Sequence, residues 1–63
     1  MNNTYTNIGT EIDGIWNYIA IVDNEAVLVD ADNEILSTEP DFWYFTTEQL
    51  DEFESSTGFV LPQ

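Results

Sequence analysis

The chain has no lysine, no arginine and no histidine among its 63 residues, against 13 Asp and Glu, for a formal net charge of −13. Outside the N-terminal amine nothing can carry a positive charge. Phosphate neutralisation, the basis of nucleic-acid binding by counterion release, is therefore excluded. So is attraction to anionic lipid through a polybasic patch. Catalysis built on a His base, a Lys amine or an Arg clamp is excluded as well. Cysteine is also missing, so there is no disulfide and no thiolate metal site. Without His or Cys, ordinary zinc and haem sites have no ligands. No apolar run approaches the length of a membrane span. No basic segment precedes an apolar run near Met1, so no signal peptide is expected. The expected location is the cytoplasm, that of the host cell if the protein is phage-encoded.

What is present argues for a folded chain. The sequence is 43% hydrophobic and 14% aromatic, more than a disordered acidic segment carries. One small domain, residues 1–63, is expected, and a core of this size adds only a few kcal/mol of stability. Self-repulsion makes such a fold salt-sensitive, and a partner that covers the charge stabilises it.

The β-formers cluster. Met1–Thr10 is polar, with Tyr5 and Ile8 its apolar residues after Met1, and reads as a short edge strand or a loose arm. Ile15–Val22 reads as a central strand, with Ile15, Asn17, Ile19 and Ile21 on one face and Trp16, Tyr18, Ala20 and Val22 on the other. One face is expected to meet a helix and the other to be partly exposed and aromatic. Two Asp-Asn-Glu triplets, at Asp23 and Asp32, predict tight turns, because Asp and Asn tolerate the left-handed conformation. The expected strands are then Ile15–Val22, Glu25–Ala31 and Glu34–Thr38. Pro40 breaks the pattern, and Phe42-Trp43-Tyr44-Phe45 marks a junction with one or two rings exposed. Thr46 and Gln49 form a capping-box signature for a helix over Thr47–Thr57, and Gly58 fits its C-terminal stop. Phe59 folds back on the last turn, Phe59-Val60-Leu61 adds an edge strand or covers the core, and Pro62 ends it. The fold class is α+β: a small antiparallel β-meander of three to four strands with one C-terminal helix packed on it.

Several chemistries can be tested against these residues. Asp30, Asp32 and Glu34 match the first, third and fifth positions of a calcium loop. Ile35 stands where that loop needs Gly, and Asp41 where it needs Glu, so no metal site is assigned. Paired carboxylates are inevitable at this density, and a sheet with one helix leaves little room for a deep cleft. No enzyme activity and no cofactor are expected. Trp43, Tyr44 and Phe45, with Trp16 and Tyr18, suggest a stacking platform, but such platforms need basic grooves. Exposed aromatics in an acidic surface fit protein-binding anchors better.

The charge remains. Ordinary solvated faces mix both signs, which lowers self-repulsion. Here the acids run through every segment and all have one sign. Same-face strand residues such as Asp30 and Asp32 would lie about 7 Å apart. Glu48, Asp51 and Glu52 would lie about 5–6 Å apart on a helix. Those spacings are on the scale of phosphates along a nucleic-acid strand, about 3.4 Å apart along the axis.

In composition and size, over its whole length, the chain resembles small acidic phage DNA-mimic inhibitors: anti-restriction proteins, anti-CRISPR proteins and uracil-DNA glycosylase inhibitors. Glu54-Ser55 matches a Glu-Ser pair of the glycosylase inhibitors but falls at a predicted helix end, and no residue role is carried over. The resemblance implies an inhibitor that occludes the basic groove of a nuclease, glycosylase, polymerase or CRISPR effector. The expected contact residues are Asp23, Glu25, Asp30, Asp32 and Glu34 of the meander, or Glu48, Asp51, Glu52 and Glu54 of the helix. The alternative is an acidic interaction module, antitoxin-like or adaptor, for a basic partner without DNA mimicry. A third reading is a structural or solubility role in high salt. An exposed edge strand permits a homodimer, which the charge opposes.

Overall fold

The computed structural model describes residues 3–61. The expectations for Met1, Asn2 and Pro62 lie outside them. Four strands, β1 (Thr4–Ile12), β2 (Ile15–Val22), β3 (Glu25–Val29) and β4 (Ile35–Ser37), form one antiparallel sheet in the order β1-β2-β3-β4. A 3-10 turn (Phe42–Tyr44) and the helix α1 (Thr47–Thr57) follow. The architecture is the expected α+β meander with a C-terminal helix. Among the described residues no helix is long and apolar enough to cross a membrane.

The N-terminal segment is an edge strand, the longest of the four, running on to Ile12. Asp13-Gly14 joins β1 to β2, and Asp23-Asn24 joins β2 to β3. All four turn residues have positive φ, between 52° and 83°. That is the two-residue hairpin form whose twist matches the strands it connects.

Glu25–Ala31 and Glu34–Thr38 were each expected to be strand, yet β3 stops at Val29 and β4 starts at Ile35. The cause is the Asp30 side chain. Its Oδ1 accepts the Asp32 N–H at 2.8 Å and the Glu34 N–H at 3.0 Å. The Asn33 N–H donates to the Asp30 carbonyl at 3.0 Å, and Asn33 itself is left-handed at φ 64°. A carboxylate that bonds its own downstream backbone favours a turn over continued strand. The expected turn at Asp32-Asn33 is therefore a wider loop, Asp30 to Glu34, closed by the Asp30 N–H donating to the Glu34 carbonyl at 2.9 Å.

β1 departs from regular pairing between Tyr5 and Gly9. Thr6 satisfies the backbone there: its hydroxyl donates to the Ile19 carbonyl at 2.6 Å and accepts the Ile8 N–H at 3.2 Å. Where pairing resumes, Gly9 lies opposite Tyr18, whose ring covers it. A Cβ on Gly9 would sit 2.6 Å from the Tyr18 Cδ1.

The capping box is present, with Thr46 Oγ1 accepting the Gln49 N–H at 3.1 Å and Gln49 Oε1 accepting the Thr46 N–H at 3.0 Å. Gln49 also donates through Nε2 to the Gly9 carbonyl at 2.9 Å, tying the helix start to the irregular stretch of β1. Gly58 stops the helix at φ 76°. Phe59 then meets Phe53 edge-on at 6.4 Å, and Leu61 is buried, so the tail covers the core. That core joins Ile8, Ile19 and Leu28 of the sheet to Phe45, Phe53 and Leu61. The helix, the 3-10 turn and the tail all contribute to it.

Candidate interaction surface

Alternation along the strands gives the sheet two unlike faces. Ile19, Ile21, Ala26 and Leu28 point into the helix-side core. On the other face Ala20, Val27 and Val29 pack with Tyr18 and Val22, all of them strand residues. Among the described residues, the hydrophobic members of this second cluster come from strands alone. Its small members are nevertheless at most 2% exposed, with Tyr18 and Val22 packed against them. Three larger side chains of the same face stay open to solvent: Tyr5 (opposite Ala20) is 43% exposed, Ile35 (opposite Val29) 48%, and Trp16 54%. Two carboxylates share this face. Glu11 is directly opposite Trp16, and Glu25 is opposite Val22. Directly opposed strand residues have Cβ atoms about 5 Å apart.

The expected contact acids are not gathered on one surface. Asp23 and Glu25 lie at one end of β3, and Asp30, Asp32 and Glu34 at the other, about 17 Å away along a five-residue strand. Asp30 and Asp32 belong to a loop, so the same-face strand spacing expected for them does not exist. Glu48, Asp51 and Glu52 are exposed on the helix, which packs on the opposite face of the sheet from Trp16.

Two of the nine acids have structural duties. Asp30 holds its loop through the two backbone N–H groups described above. Glu54 is half-buried, and its Oε2 accepts the Leu61 N–H at 2.8 Å, which fastens the tail over the core. Every other acid in the chain is exposed. Among the described residues no three carboxylates converge as a metal-holding group, and no buried side-chain polar atom lacks a hydrogen-bond partner.

The aromatic residues are divided as well. Phe45 is buried and Phe42 half-buried, while Trp43 is 71% exposed and stacks on Tyr44 at 4.1 Å. Trp43 borders an open groove of about 420 Å³ with Pro40, Phe42, Leu50 and Asp51. Trp16 and Tyr18 are on the far side of the sheet, so the five rings do not make one platform. Sequence reasoning found the aromatic side of β2 but missed Tyr5, Glu11 and Ile35 beside it. The Asp13-Gly14 hairpin signal, which sets the register of β1 on β2, was the means of finding Glu11. Compared with family models, with curated proteins and with solved structures, the chain matches none.

Proposed function

We propose that the protein is an acidic inhibitor that occludes the basic nucleic-acid-binding groove of another protein in the cytoplasm. One observation carries this reading. A charge of −13 with no basic side chain is displayed on a hydrogen-bonded scaffold whose acids, Asp30 and Glu54 apart, all face solvent. A mobile acidic tail would lose entropy when held against a partner, whereas carboxylates on turns and a helix are already placed. The counter-charges absent from this chain are then supplied by the target, and association is fast and salt-dependent. Spreading acids over both ends of the sheet and the helix suits a partner that surrounds the protein, as a groove does.

The test is binding to a nuclease, glycosylase, polymerase or CRISPR effector, measured from about 50 to about 200 mM salt with and without competing duplex DNA. Affinity is expected to fall steeply with salt, and DNA is expected to displace the protein. Binding that responds to salt but not to DNA points instead to an allosteric inhibitor or to an adaptor for a basic partner. Binding indifferent to both removes the proposal.

A further inference from the structure

We propose that the open sheet face is the contact surface for a cationic protein segment that carries apolar side chains, with an arginine of that segment seated between Trp16 and Glu11. This rests on the reading of the protein as a binder of basic partners and adds which surface makes the contact.

The face is apolar at its centre and acidic at its margins. Tyr5, Trp16 and Ile35 are each about half exposed on the face that carries Ala20, Val27 and Val29, with Glu11 opposite Trp16 at one end and Glu25 opposite Val22 at the other. Exposed aromatic anchors with a polar rim are the usual make-up of a binding hot spot. Charge selects the occupant. A second copy would bring Glu11 and Glu25 again and no basic side chain to meet them, in a dimer of twice the −13 charge. Anionic lipid and nucleic acid are repelled for the same reason. A cationic protein surface is complementary to both features at once. The pairing of Glu11 opposite Trp16 makes the seat specific: a guanidinium there bonds the carboxylate while its plane lies on the indole. Trp43 is the competing seat, 71% exposed in a groove with Asp41 and Asp51 but with one face of its ring already stacked on Tyr44.

The two tryptophans report separately through their indole N–H signals in a ¹⁵N-labelled sample. The probes are two synthetic peptides with the same number of arginines, one alternating them with leucine and the other with serine. The Arg/Leu peptide is expected to move the Trp16 signal and to saturate. Read in the variants from the backbone N–H signals of the same labelled sample, Trp16→Thr is expected to weaken binding by about tenfold, with Trp16→Phe recovering most of the loss and Trp43→Ala changing little. The Arg/Ser peptide is expected to bind more weakly and to lose less on Trp16→Thr, since it keeps the guanidinium stacking but has no apolar side chains for the face. Glu11→Gln, which leaves the apolar packing alone, is expected to weaken both peptides, so the assignment does not depend on one variant folding.

An Arg/Leu peptide that moves only the Trp43 signal, or leaves both unmoved, overturns the proposal. So does a Trp16 signal that shifts with protein concentration alongside sedimentation at twice the monomer mass, or one that shifts with neutral phosphatidylcholine vesicles. No DNA and no DNA-binding enzyme enters this experiment. The contact face and the occlusion of a DNA groove therefore stand or fall separately.

Discussion

The two faces of the sheet are built from the same strands and end differently. On the helix side, Phe45, Phe53 and Leu61 arrive from three later segments and close over Ile8, Ile19 and Leu28. Polar bonds hold that cover in place: Gln49 to the Gly9 carbonyl, Glu54 to the Leu61 N–H. On the open side, among the described residues, the apolar side chains packed on Ala20, Val27 and Val29 are Tyr18 and Val22 of the sheet itself, and Tyr5, Trp16 and Ile35 of the same face remain about half exposed. One face is a finished core. The other has a buried floor and large side chains left open to water, and the proposed contact surface rests on that difference. The two kinds of carboxylate repeat the contrast, since Asp30 and Glu54 bond the chain's own backbone while the remaining acids project into water.

Removing the largest side chain of the finished core should have the largest effect. Phe53 is fully buried between the helix, the sheet and the tail. Phe53→Ala is expected to cost about 3–5 kcal/mol, transfer and cavity terms together. A domain of this size has a stability on the order of 5 kcal/mol, so most of the cooperative urea transition should vanish at 25 °C. A variant that kept a sharp transition near the wild-type midpoint would mean that the open face contributes more of the core than its composition suggests.

A smaller effect is expected where the open face is tightest. Gly9→Ala puts a Cβ 2.6 Å from Cδ1 and 2.8 Å from Cε1 of Tyr18, so the ring must move off the strand. Such overpacking costs about 1–3 kcal/mol. Tyr18→Ala in the same chain should cancel much of the Gly9→Ala cost, giving a non-additive double-mutant cycle. Additive costs would place the strain in the contact with the Asn17 carbonyl oxygen, 3.1 Å from the same Cβ, instead.

What the sequence disclosed follows from the range of the interactions involved. The helix, its capping box and the Asp23-Asn24 turn are local, set by residues within four positions of one another, and each was legible with its boundaries. The faces of β2 were legible because alternation has a period of two. The end of β3 was not, because Asp30 has the same side chain whether it extends a strand or bonds the Asp32 and Glu34 N–H groups. Glu54 read as one more helix acid, since its tie to Leu61 depends on where the tail returns. The open face was half visible: Trp16 and Tyr18 lie in one strand, and Glu11 follows from the Asp13-Gly14 hairpin, but Tyr5 joins them only across the irregular stretch between Tyr5 and Gly9, and Ile35 only through a β3–β4 register that shifts between Leu28 and Val29.

The smallest stability effect belongs to the residue on which most of the binding is proposed to depend. Trp16 is 54% exposed and faces away from the helix. Threonine keeps the β-propensity of the position, so Trp16→Thr loses only contacts at the margin of the open cluster. The expected cost is about 1 kcal/mol or less, a small fraction of that for Phe53→Ala, and the two melting curves measured side by side check it. The comparison is informative in both directions. If Trp16→Thr were as damaging as Phe53→Ala, the indole would be a structural lid on Ala20, Val27 and Val29, and the open face would be a second core with no surplus for a partner. If it is nearly silent in stability, keeping a large apolar ring in water beside Glu11 does little for the fold. In that outcome the indole is free for the contact proposed for it, and the peptide titration decides whether the contact is made.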